Sequence, residues 1–115
     1  MSIYELIDST LSTLQIPYYS GTPEFYDGDP PERYLFYSAY DIPQQFADGT
    51  EHHYEYTVTL NIVTPAVEVE TRKLVRNAMK TAGFVYQSGM DTTPDDDTYP
   101  YQNQYTQEYK IIMEE

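Results

Sequence analysis

Cysteine and tryptophan are absent from these 115 residues, histidine occurs twice, and 6 lysines and arginines stand against 19 acids. Each shortage removes a class of function. Without cysteine there is no disulfide framework and no thiolate metal site, a composition that suits a reducing cytoplasm. No apolar run approaches the roughly 20 residues of a membrane span, and the amino terminus lacks a basic-then-apolar signal pattern. The net charge of −13 repels phosphate backbones, so direct nucleic-acid binding is not expected. His52 and His53 are adjacent, so in a strand they point to opposite faces and share neither a metal nor a proton. There is no phosphate-binding glycine loop and no Gly-x-Ser-x-Gly elbow. The run Asp95-Asp96-Asp97 offers oxygen ligands to a hard cation, but it lacks the alternating spacing and central glycine of a calcium loop. The sequence therefore assigns no catalytic residue, no cofactor and no metal.

What the chain does have is tyrosine, 14 of them beside 4 phenylalanines. A buried aromatic removes about 150–250 Å² from water, so a tyrosine-rich sheet carries a core with few leucines. Ser2 and Glu5 form a capping box ahead of Ile3, Leu6, Ile7, Leu11 and Leu14, which recur at helical spacing. Pro17 ends that helix, and residues 21–32 are loop, with two glycines and three prolines. Residues 33–40 read as a strand covered on at least one face. Residues 41–50 are a polar connection to the clearest strand in the chain. In it Tyr54, Tyr56, Val58, Leu60 and Ile62 face the core, and Glu55, Thr57, Thr59 and Asn61 face water. A second helix is expected over residues 67–82, started by Thr64-Pro65, stopped at Gly83, and burying Leu74 with Val75, Ala78 and Met79. Phe84 to Tyr86 starts a strand, residues 89–97 form an acidic loop, and a long last strand carries Tyr99, Tyr101, Tyr105, Tyr109, Ile111 and Met113 inward. The order α-β-β-α-β-β in one domain predicts an α+β fold, an antiparallel sheet with both helices packed on one face.

Charge is unevenly placed. Arg72, Lys73, Arg76 and Lys80 all lie in the second helix. One reading is a solvated helix face, with Arg76 and Lys80 complementing the negative end of the helix dipole. The other is a basic stripe that meets an acidic surface. Asp91, Asp95, Asp96 and Asp97 are the candidate acids on a neighbouring subunit. Tyr18, Tyr19, Tyr26 and Phe46 sit in loop-like sequence and are candidate docking residues, since exposed aromatics anchor interfaces.

The opening helix, the step Ile16-Pro17-Tyr18-Tyr19-Ser20-Gly21 and the strand Tyr34-Leu35-Phe36 resemble a group of phage proteins. So do the turn Ala47-Asp48-Gly49, the strand from Tyr54 to Val63, the helix end Ala82-Gly83-Phe84 and the start Asp97-Thr98-Tyr99. Together they look like the tail-completion, or tail-to-head joining, proteins of long-tailed bacteriophages and prophages, which are similar in role to tail terminators. The resemblance implies a non-enzymatic subunit of a ring, possibly a hexamer, that caps the tail tube and receives the head connector or head-closure protein. It implies a place in the virion neck after assembly in the host cytoplasm, and no membrane. A second expectation is an acidic DNA mimic that inhibits a nucleic-acid enzyme, although the acids here cluster in loops rather than in phosphate-like rows. A small hydrolase is the third, disfavoured by the poor inventory of acids, bases and nucleophiles.

Overall fold

The computed structural model describes residues 2–21, 31–43, 53–92 and 103–114. Tyr26, Phe46, His52, the Ala47-Asp48-Gly49 turn and Asp95-Asp96-Asp97 lie outside the described residues.

Helix α1 runs over Ile3–Leu11, where the Glu5 amide donates to Ser2 Oγ at 3.1 Å, one half of the expected capping box. It tightens into a 3₁₀ turn at Ser12–Leu14 and stops at Gln15, whose φ of 59° is left-handed. Strand β1 then occupies Tyr18–Ser20, β2 Tyr34–Pro43, β3 His53–Thr64, α2 Val69–Thr81, β4 Val85–Thr92 and β5 Asn103–Glu114. Spatially the strands run β1-β2-β3-β5-β4. The fold class is α+β, but the sheet is mixed. β1 pairs parallel to β2, and the pairs β2–β3, β3–β5 and β5–β4 are antiparallel. Tyr18-Tyr19-Ser20 was expected as a loop or short extended step, and it adds a fifth strand to the order α-β-β-α-β-β. Three residues are too few for periodicity to reveal a strand. What makes it one is tertiary, with the Leu35 amide donating to Pro17 O and the Gly21 amide to Tyr37 O.

One face of the sheet carries the main core. Ile3, Ile7 and Leu11 of α1 and Val75 and Met79 of α2 pack on Leu35, Tyr37, Val58, Leu60, Ile62 and Tyr109. These strand residues keep the parity that the register demands, Leu60 opposite Tyr37 and Ile62 opposite Tyr105. The opposite face is drier than the alternation in β3 suggested. Thr57 is 1% exposed and Val63 2%, and Asn61 is half-buried. The cause is position, since β3 is flanked along its whole length by β2 and β5, and its outward side chains are walled in by theirs. Tyr34, Phe36 and Tyr19 add an aromatic cluster there, Tyr34 stacking on Phe36 at 6.4 Å. Asn61 Oδ1 accepts from Gln104 and Thr106, which satisfies the carbonyl oxygen of this half-buried amide.

Helix α2 begins at Val69, later than expected. Glu68 is the cap residue and makes no capping hydrogen bond, while Thr64 ends β3. Its end matches the sequence closely. Gly83 at φ 103° donates to Lys80 O and Phe84 to Met79 O, the paired bonds of a Schellman motif. Leu74, expected inside, is 51% exposed. Five residues separate it from Met79, so at 100° per residue it lies on the flank turned toward α1 rather than on the sheet.

Candidate protein-binding surface

The basic helix divides into two pairs. Arg72 is folded down onto the sheet: its guanidinium carbon lies 4.0 Å from the centre of the Tyr105 ring, and its Nη2 donates to Asp91 Oδ1 at 2.6 Å. Arg76 lies 4.0 Å above the ring of Tyr86. The two rings belong to neighbouring strands, and their hydroxyls approach to 3.4 Å. That hydrogen bond, then burial, holds the Tyr105 hydroxyl above its ordinary pKa, against the two arginines that pull it down. Tyr86 in turn meets Tyr109 edge-on at 5.6 Å, and Phe84 meets Tyr109 at 6.4 Å. Burial pushes the Tyr109 hydroxyl well above the usual tyrosine range, and it donates to Gln107, itself buried. The arginines therefore cap an aromatic stack that runs into the core.

Gly89 makes the stack possible. It sits opposite Gln107 on the inner face of β4, and a Cβ there would lie 2.0 Å from the Tyr105 hydroxyl and 2.3 Å from that of Tyr86. A bulge between Tyr86 and Ser88 restores the alternation beyond it, so Asp91 shares the inner face with Tyr86 and reaches Arg72. Asp91, expected in an acidic loop for a neighbour's helix, is thus in strand β4 and already paired within its own chain. The sequence hid this because Gly89, Met90 and Asp91 read as turn chemistry, whereas an edge strand needs little apolar content.

Lys73 and Lys80 behave differently. Both are exposed, and among the described residues neither has a carboxylate within 4.0 Å or an aromatic ring beneath it. The other cations are engaged. Arg33 grips Glu68 through two bonds of 2.7 and 2.6 Å, and Lys110 faces Glu55 at 3.5 Å. The guanidinium of Arg33, helped by the Thr71 hydroxyl, holds the Glu68 carboxyl below the ordinary range.

Of the aromatic docking candidates, Tyr18 and Tyr19 lie on opposite faces of β1. Tyr18 donates to the Asp8 carboxylate of α1, which raises its own pKa, and Tyr19 meets Tyr34 edge-on at 6.2 Å. Both are half-buried structural contacts rather than free rings.

Sequence reasoning missed the exposed aliphatic residues. Val85 (59%), Met90 (63%) and Ile112 (64%) stand on the outer face of β4 and β5. Val85 and Ile112 flank a shallow hollow of about 400 Å³ with Gly83, Gln87 and Lys110. A second open groove, about 450 Å³, runs between the helices along Thr10, Leu14, Leu74, Ala78 and Thr81. The signal for the first was present in the strand parity of Ile112, but only the packing of α1 and α2 on the other face shows that, among the described residues, no helix covers it. Among the described residues no three metal-ligating side chains come together, and no helix is long and apolar enough to cross a membrane.

No protein-family model and no curated protein matches the chain. Twenty chains of solved structures do. One of them, whose name describes no role, is similar at a TM-score of 0.53 and 16% identity over 100% of this chain and 96% of its own. At that identity the likeness shows the fold alone.

Proposed function

We propose that this chain is a non-enzymatic phage structural subunit that caps the end of a tail tube and joins it to the head connector, acting in a ring. The observation that carries the reading is the outer face of β4 and β5. Three large aliphatic side chains, Val85, Met90 and Ile112, stand more than half exposed there. A soluble domain gains nothing by presenting such a row to water, and exposed apolar residues grouped on one face mark contacts with other proteins. Around Val85 and Ile112 lie Lys110, Glu55 and Gln87, a polar rim of the kind that surrounds interface anchors. The partner on this face is the tail-tube protein or the connector, the site of action is the virion neck, and assembly takes place in the host cytoplasm.

The test uses tubes polymerised from the tube protein of the same phage genome. Purified chain is expected to decorate tube ends in negative stain, and Ile112→Asp, a substitution at a position already 64% exposed, is expected to abolish that decoration without unfolding the domain. Tubes left uncapped by the native chain would overturn the reading.

A further inference from the structure

The subunit has two unlike flanks. α1 lies over the β1–β2 side of the sheet, where Tyr4 meets Tyr37 and Asp8 meets Tyr18. α2 lies over β5 and β4, where Arg72 meets Tyr105 and Arg76 meets Tyr86. Because the strand order is β1-β2-β3-β5-β4, these helices mark opposite lateral edges of the molecule. The α1 flank presents Tyr4, Glu5 and Asp8, all exposed, with Tyr4 at 51%. No cation occurs anywhere in α1. The α2 crest presents Val69, also 51% exposed, with Lys73 and Lys80. Seven residues separate the lysines, which puts them about 10 Å apart along one side of the helix.

The charge balance singles out this crest. α2 holds four of the six cations against Glu70 alone, and the other 18 of the 19 acids lie elsewhere in the chain. Arg72 and Arg76 are spent on the chain's own tyrosines and Asp91. Among the described residues, Lys73 and Lys80 are what remains to meet an outside acid. We propose that the α2 crest of one copy docks against the α1 flank of a second copy, Lys73 and Lys80 meeting Glu5 and Asp8 while Val69 and Tyr4 supply apolar contact. This rests on the ring reading above and names the surfaces that meet.

The contact joins two different patches, so it is heterologous. Repeated, it closes a ring or grows a filament, and it cannot stop at a two-fold dimer. Complementary charge explains how bodies of −13 approach at all, by steering encounter and fixing register while the apolar residues add affinity. The substitutions fall on exposed helix positions, and among the described residues only Asp8→Lys also gives up a side-chain contact within the chain, the hydrogen bond from Tyr18.

The experiment is sedimentation velocity of the full chain at a few hundred micromolar, in about 20 mM and about 500 mM salt. The native chain is expected to form species larger than a dimer at low salt and to dissociate at high salt. Lys73→Glu with Lys80→Glu, and separately Glu5→Lys with Asp8→Lys, are each expected to weaken association at least about tenfold. A mixture of the two reversed variants is expected to regain assembly beyond a dimer by alternation, since the crest of each is complementary in charge to the flank of the other while like copies repel. The quadruple variant is expected to regain association. A native chain that stays monomeric, a dimer that grows no further, or a double variant that assembles like the native chain would each overturn the proposal. Circular dichroism of every variant excludes unfolding as the cause. Self-association is read without tail tubes, so failure here and failure of tube capping are separate results.

Discussion

Replacing Arg72 by alanine separates the two roles that a basic helix can have. The guanidinium sits 4.0 Å from the Tyr105 ring centre and 2.6 Å from Asp91 Oδ1, and the Arg72 side chain is only 16% exposed. A partly desolvated cation–π contact contributes about 1–2 kcal/mol. The ion pair adds toward the low end of about 0.2–1 kcal/mol, because Asp91 is 71% exposed and water screens it. Arg72→Ala should therefore cost about 1.5 kcal/mol, roughly 6 °C in melting temperature for a domain of this size. Lys73→Ala is the control. It gains the same small helix propensity, sits one residue away, and should change stability by less than about 0.5 kcal/mol. Urea unfolding followed by circular dichroism measures both, with an unchanged m-value showing that only the midpoint moved. A double-mutant cycle with Tyr105→Leu isolates the stacking, expected at about 0.5–1 kcal/mol of coupling. Equal costs at Arg72 and Lys73, or strict additivity in the cycle, would refute the claim that the arginines belong to the fold and the lysines to a partner.

Three further outcomes follow from the same geometry. Gly89→Ala pushes a methyl group into two tyrosine hydroxyls and should destabilise by about 1–3 kcal/mol, the range for overpacking, with altered near-ultraviolet circular dichroism. Glu68 titrates at a lowered pKa because of Arg33, so its stabilising effect is complete above the ordinary carboxylate range and is lost as pH falls through the lowered value. The stability gap between the native chain and Glu68→Gln, measured in urea, should therefore be largest near neutrality and close in acid. Tyr109 has a raised pKa in the folded state, so its contribution holds below the unfolded value near 10 and disappears as pH rises toward the folded one. The native chain should lose stability above pH 10 more steeply than Tyr109→Phe, as urea midpoints at pH 8 and 11 would show.

Where the sequence was legible, one local rule sufficed. The period of two in residues 54–62 placed Val58, Leu60 and Ile62 inside, and the same period placed Tyr105 and Tyr109 in the last strand. Gly83 marked the end of α2 because only a left-handed residue closes a Schellman motif there. What could not be read depended on which strands become neighbours. The parallel strand β1 exists only because Pro17 and Gly21 find β2. The pairing of Arg72 with Asp91 needs β4 to lie beside β5, with a bulge that keeps Asp91 beneath the helix. The four cations of α2 look alike in sequence, and the tyrosines of two adjacent strands decide which of them are free.

The three-residue strand β1 has a consequence for the order in which the molecule comes apart. The segment from α1 through β1 is joined to the rest by a three-residue pairing, two flanking backbone hydrogen bonds, the ring contact of Tyr19 with Tyr34 and the apolar side of one helix. The β2-β3-β5-β4 sheet, with two strands of 12 residues, has its own continuous hydrogen-bonded frame. The amino-terminal segment is then the natural first unit to detach, a hinged flap opening at a fraction of the global free energy. Its outer surface is the acidic flank proposed to meet the next copy. A neighbour docked there would hold the flap shut, so each subunit added to a ring would stiffen the one before it, and amide exchange in residues 3–20 should slow on assembly while the central strands stay unchanged.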